Sequence, residues 1–84
     1  MKVREIIKAA IEEIMANNGR TGVVEDSSEI IRDLGFTSLD VAELVAVLEM
    51  DLEVDPFSDG VLLMEVLNYG DFCAVYEKAC QEKG

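Results

Sequence analysis

The chain has 84 residues, half of them apolar, with a net charge of −11 and no histidine. That length makes one small domain, able to bury only about 60% of the surface its unfolded chain would expose. No apolar run approaches the roughly 18 residues a membrane span needs, and without histidine the commonest metal ligand and general base is missing.

Charge is unevenly spread. Residues 1–20 sum to +1, residues 21–60 to −10 with Arg32 their only base, and residues 61–84 to −2. The acidic middle repels phosphate backbones, which argues against nucleic acid binding, and steers basic protein surfaces toward it. Composition alone also allows a plain solubilising surface. Glu5, Glu12 and Glu13 interrupt any signal-peptide core, so the chain reads as soluble and cytoplasmic. Its starting Met and compact length favour a discrete protein, one domain over 1–84.

In chain order, Val3, Ile6, Ile7, Ala10, Ile11 and Ile14 recur at helical spacing. They predict an amphipathic helix over 3–15, stopped by "NNG" at 17–19, where Asn and Gly accept the left-handed conformation of a helix end. Residues 20–37 keep no period. A connection this long is uncommon in a compact domain and usually functional; Val23, Val24, Ile30, Ile31 and Leu34 predict that it lies pinned across the core, with room for a short helical turn around Ser28–Arg32.

A second helix is predicted over 38–53, with Val41, Leu44, Val45, Leu48 and Leu52 on its core face. The opposite side carries an apolar strip, Leu39, Ala42, Ala46 and Met50, flanked by Asp40, Glu43, Glu49 and Glu53. Either that strip packs under the loop or the third helix, or it is a docking stripe with an acidic rim. Pro56 bars continuation. Val61 to Leu67 predicts a brief helix. Asn68 then fits an N-cap, with Asp71 in the acidic slot of a capping-box start. The last helix is expected over about 69–82, with Phe72, Val75, Tyr76 and Ala79 inward. The fold class is all-α: a small bundle of three main helices plus one short helix, with a long loop between the first and second.

Little chemistry is available to such a chain. Cys73 and Cys80, seven residues apart on a helix, have Cα atoms ~10 Å apart, beyond the reach of a disulfide. Two thiols without histidine are too few for tetrahedral zinc, so both read as small buried hydrophobes. The best calcium-loop register, from Asp55, has Phe57 at position three and Val66 at position twelve, where ligands belong. Ser38 opens the second helix but lacks a general base and an oxyanion-hole signature, so catalysis by this chain is not expected. A serine at a helix start suits an anion or serves as an N-cap; Thr37 can also cap, which would leave the Ser38 hydroxyl free.

These residues match a known pattern. "DLGFTSLDVAELVAVLE" (33–49) closely resembles the attachment region of acyl carrier proteins, Leu-Gly-x-Asp-Ser-Leu followed by an acidic, apolar helix. "NYGDF" (68–72) is similar to the Thr-Val-Gly-Asp-Leu that often opens their last helix. The resemblance implies that Ser38 accepts 4′-phosphopantetheine from coenzyme A through a separate, magnesium-dependent phosphopantetheinyl transferase, and that the arm's thiol holds an acyl group as a thioester. It implies further that Leu39, Asp40, Glu43, Ala46, Glu49 and Met50 meet basic docking patches on acyl-loading, synthase and transferase enzymes of fatty acid, polyketide or related biosynthesis, and that the protein is a monomer.

Departures from the pattern are specific. Thr37 replaces the usual aspartate before the serine, Ala46 stands where an exposed methionine is common, and Met50 replaces an acid. They suggest a specialised carrier rather than the housekeeping one. Two rivals follow: a carrier for an aminoacyl group of the D-alanyl type, and an acidic helical adaptor that never receives an arm.

Overall fold

The computed structural model describes residues 2–57 and 68–83. Among them are three α-helices: α1 (Val3–Asn17), α2 (Ser38–Leu52) and α3 (Tyr69–Lys83). The only β-type pairing among these residues is an isolated antiparallel bridge, Glu29 to Asn68. The all-helical class and the long connection between the first two helices are as expected. The brief helix predicted over 61–67 lies outside the described residues.

Helix α1 is the shared partner, packing against both α2 and α3. Its buried face is Ile7, Ala10, Ile11, Ile14 and Met15, the predicted stripe extended by one residue; Val3 and Ile6 pack at its margin. The "NNG" stop acts two residues later than predicted and forms a Schellman closure. Gly19 takes the left-handed conformation (φ +71°) and donates its N–H to the Ala16 carbonyl, while the Arg20 N–H reaches back to Met15 at 2.8 Å.

Helix α3 is rolled relative to expectation. Tyr69, Phe72, Cys73 and Tyr76 are buried, whereas Val75 and Ala79 are only half-buried. The Tyr69 hydroxyl explains the roll, because it donates to the Arg4 carbonyl at 3.1 Å and draws that edge of α3 onto α1. Arg4 itself reaches Asp26 (3.1 Å) and Glu77 (3.4 Å), tying α1 to the loop and to α3. Phe57 and Tyr76 meet edge-on at 5.9 Å, and Phe72 lies 5.0 Å from Tyr76, so three rings fill the centre beside α3. Both cysteines are unpaired, as expected; burial pushes the Cys73 thiol upward, keeping it neutral.

The long connection is fastened rather than draped. Val24, Ile30, Leu34 and Phe36 are buried, but Val23 and Ile31, also expected inside, are 75% and 64% exposed. The predicted helix near Ser28–Arg32 is a single turn, closed by the Asp33 N–H on the Glu29 carbonyl (2.8 Å), while the Glu29 N–H donates to the Asp33 carboxylate (2.8 Å). A helix start leaves four N–H groups without an intrahelical partner, and at α3 all four are accounted for. Tyr69 donates to the Ser28 carbonyl, Gly70 to Asp26, Asp71 to the Asn68 side chain and Phe72 to the Asn68 carbonyl, at 2.8–3.0 Å. Asn68 is therefore the cap the sequence indicated, and the loop supplies the rest.

Gly70 permits that contact. A Cβ there would stand 3.1 Å from the Asp26 carbonyl oxygen and 3.2 Å from its Cβ. Alanine would gain up to ~1 kcal/mol of helix propensity over glycine, but Asp26 cannot retreat without losing its bond to the Gly70 N–H. Overpacking costs of ~1–3 kcal/mol should win, so Gly70→Ala is expected to lose about 1 kcal/mol in urea unfolding. An unchanged or raised midpoint would show that the loop is not held tightly against α3.

Candidate functional site

The site is the junction of the loop with α2. Leu34 and Phe36 are both buried, and Gly35 between them takes φ +71°, a conformation costly for residues with a Cβ. The Arg20 guanidinium donates to the Gly35 carbonyl. "LGF" is thus an anchor, in which two side chains enter the core and a kink turns the chain outward. Thr37 follows in extended conformation as the N-cap. Its hydroxyl accepts the Asp40 N–H (3.2 Å) and its N–H donates to the Asp40 carboxylate (3.0 Å), a reciprocal capping box. Phe36 before the cap and Val41 in the next turn, both buried, occupy the positions of a hydrophobic staple.

Ser38 is therefore the first residue of α2, exposed, with the capping role taken by its neighbour. Of the first N–H groups of α2, Asp40 and Val41 are taken by the Thr37 hydroxyl and carbonyl. Those of Ser38 and Leu39 have no carbonyl behind them within the helix, so the positive end of the helix dipole lies next to the serine hydroxyl.

Asp40 is less available than the sequence suggested. One carboxylate oxygen accepts from Thr37, the other from the Asn18 side chain at 3.1 Å. The Thr37 N–H first, then Asn18, holds its carboxyl below the usual carboxylate range. What it contributes to stability is therefore complete above the ordinary aspartate pKa of 3.8 and is lost as pH falls through the lowered value.

The outer face of α2 settles which side of the apolar strip faces what. Leu39 and Met50 are each 82% exposed, and Ala42, Glu43, Ala46 and Glu49 are exposed too. The strip does not pack beneath the described part of the loop or α3. It runs ~16 Å along the helix, an apolar ridge flanked by carboxylates. Sequence reasoning missed the supports: Asn18 and Arg20, which reach across from the end of α1. The Thr-x-x-Asp spacing at 37–40 was a legible capping-box signal, whereas nothing local foretold the two long-range contacts.

Two curated proteins match this chain. It is 39% identical over 69 residues to the acyl carrier protein of Campylobacter lari, covering 77% of this chain and 86% of that protein. It is 41% identical over 69 residues to the acyl carrier protein of Campylobacter jejuni subsp. doylei, covering 77% and 87%. The chain belongs to the acyl carrier protein family. It is accordingly a carrier rather than an enzyme. No family model and no solved structure matches. Among the described residues no helix is long and apolar enough to cross a membrane, and no group of histidine, cysteine or carboxylate side chains could hold a metal ion.

The departures from the family pattern acquire a physical meaning here. Thr37 in place of aspartate keeps the N-cap, since both residue types accept from the helix N–H groups. It drops a negative charge beside the serine. Met50 in place of an acid lengthens the apolar ridge by one exposed side chain.

Proposed function

We propose that this chain carries acyl intermediates as thioesters on a 4′-phosphopantetheine arm attached to Ser38, delivering them to enzymes of fatty acid, polyketide or related specialised biosynthesis. The observation that carries this reading is the division of labour at the start of α2: Thr37 caps the helix, and Ser38 stands exposed beside it. In the attachment step the Ser38 oxygen forms a bond to the phosphorus of the coenzyme A phosphopantetheinyl group. Adenosine 3′,5′-bisphosphate leaves, and the serine proton passes to a base on the phosphopantetheinyl transferase. The resulting phosphodiester sits at the N–H end of α2, which favours negative charge. The thiol of the attached arm supplies the thioester chemistry. Cytoplasmic location, a monomeric state and a single domain over 1–84 complete the proposal.

The exposed ridge of α2 supports a docking role for Leu39, Glu43, Ala46, Glu49 and Met50, with basic enzyme surfaces meeting the carboxylates. Asp40 belongs to this set in position, yet one of its oxygens serves the cap and the other the Asn18 side chain, so its part is to hold the start of α2 rather than to reach a partner. Individual exposed ion pairs contribute only ~0–1 kcal/mol. That weakness suits a shuttle that must leave each enzyme it visits.

The test is to incubate the purified protein with coenzyme A, magnesium and a broad-specificity transferase and then weigh it intact. A mass gain of one phosphopantetheine is expected. No gain with several transferases would remove the carrier assignment of Ser38 and favour the unmodified adaptor. Loading with aminoacyl- and acyl-specific ligases then separates the two kinds of cargo. Glu43→Lys should slow modification several-fold at low salt and less at high salt, because screening shortens the reach of charge. Equal rates at every ionic strength would exclude the acidic rim as the recognition surface.

A further inference from the structure

Arg20 is a cation without a carboxylate. Its guanidinium donates to the Gly35 carbonyl. Among the described residues no acid lies within ion-pair distance of it, whereas Arg4 and Arg32 both have one. That is unexpected in a chain with 18 acids against 7 bases. The acids near it are spent on other groups. Asp33, which lines the same cleft, accepts the Glu29 N–H at 2.8 Å, and Asp40 accepts from Thr37 and Asn18. A guanidinium carries five N–H donors, and one carbonyl does not use them up.

The position of that cation is specific. Gly35 makes room for it, since a Cβ at 35 would overlap the guanidinium. The end of α1 grips the start of α2 at two points: Arg20 holds Gly35, three residues before Ser38, and Asn18 holds Asp40, two residues after it. Ser38 stands exposed between those contacts. Three residues of chain span at most ~11 Å, a gap that a serine-borne phosphate and an arginine side chain close from both ends. Thr37, uncharged where the family pattern has aspartate, leaves no acid between them to compete.

We propose that Arg20 holds the phosphodiester of the attached arm, pinning the first bonds of the arm to the connector side of Ser38. This rests on the carrier reading of Ser38. Attachment turns a neutral hydroxyl into a singly negative group two residues from the Asp40 carboxylate, and Arg20 offsets that charge. The planar guanidinium matches two phosphate oxygens with parallel N–H bonds, which a lysine ammonium cannot do. Exposed ion pairs are weak when both side chains must be held in place. Here the phosphate is tethered by its ester and the guanidinium by Gly35, so each partner is permanently at hand for the other.

The experiment attaches phosphopantetheine from coenzyme A to wild type, Arg20→Gln, Arg20→Lys and Arg32→Gln, with intact mass confirming each product. Thermal midpoints before and after attachment are compared within each variant, so that any effect of Arg20 on the unmodified fold through Gly35 cancels. At low salt the change on attachment should be more favourable in wild type than in Arg20→Gln by about 2 °C or more, the size of one anchored surface pair in a domain of this length. The gap should close near 1 M salt. Arg20→Lys should keep part of it, and Arg32→Gln, whose guanidinium pairs with Glu29, all of it. In wild type the NMR signal of the Arg20 Nε–H group should also move on attachment, a readout that stands even if Arg20→Gln fails to fold. An equal change in wild type and Arg20→Gln, an equal loss in Arg32→Gln, or an unmoved Arg20 signal would overturn the role of Arg20 and leave the carrier reading standing. A wild-type mass unchanged by the transferase would remove both claims together.

Discussion

Ser38→Ala is expected to abolish modification completely while leaving the fold within about 0.5 kcal/mol of wild type, the usual range for a surface change that touches no cap or core. Thr37→Ala should do the opposite. It removes the hydroxyl that accepts the Asp40 N–H, and loss of an N-cap of this kind costs about 1 kcal/mol, yet Ser38, the proposed attachment point, remains. The pair separates two neighbouring hydroxyls by role: intact mass after transferase treatment reads one, urea unfolding the other. A Ser38→Ala protein that still gains the full mass would move the attachment point. A Ser38→Ala protein that loses as much stability as Thr37→Ala would mean that Ser38 shares the cap, and its hydroxyl would not be free for chemistry.

The largest loss of stability should come from Phe72→Ala. Its ring is fully buried and touches both Tyr76 and Phe57, so its deletion opens a cavity that two rigid rings cannot collapse into. Such truncations cost about 3–5 kcal/mol, against a total of roughly 4–13 kcal/mol for a chain of 84 residues. The expected result is a urea midpoint lowered by about 2 M or more, with part of the protein unfolded at 37 °C. Leu39→Ala and Met50→Ala, smaller apolar deletions on the exposed ridge, should change the midpoint little. If Phe72→Ala cost no more than those two, the aromatic centre would not be the core of this fold.

How far the sequence alone carried the argument depended on the range of the interaction concerned. The helices were legible because their signal is periodic: Ile7, Ile11 and Ile14 announce one face of α1, and Leu44 and Leu48 one face of α2, without reference to anything distant. Helix ends were legible for the same reason, since Gly19, Asn68 and Thr37 act on backbone groups within a few residues. Ser38 was found through its neighbours in sequence, and its exposure followed from Thr37 taking the cap. The roll of α3 was not legible, because it depends on a hydroxyl of Tyr69 meeting a carbonyl in α1, 65 positions away. Nor was the inward or outward turn of Val23 and Ile31, whose loop has no period to read. The commitment of both Asp40 oxygens was hidden by a similar gap: one partner, Asn18, lies 22 residues upstream. Whether an acid on a helix is a contact for another protein or part of the scaffold is decided by what reaches it from elsewhere.

The fastening of the connector to α3 has a consequence for motion. Tyr69 and Gly70 give their N–H groups to Ser28 and Asp26, so neither stretch can loosen alone without exposing bare amides or carbonyls. Slack introduced at the start of the last helix would propagate as a zipper through residues 26–28 toward the turn at Glu29–Asp33, and from there to the anchor that holds Ser38 outward. In a molecule this small, the start of α2 and the start of α3 are thus tied through one connector.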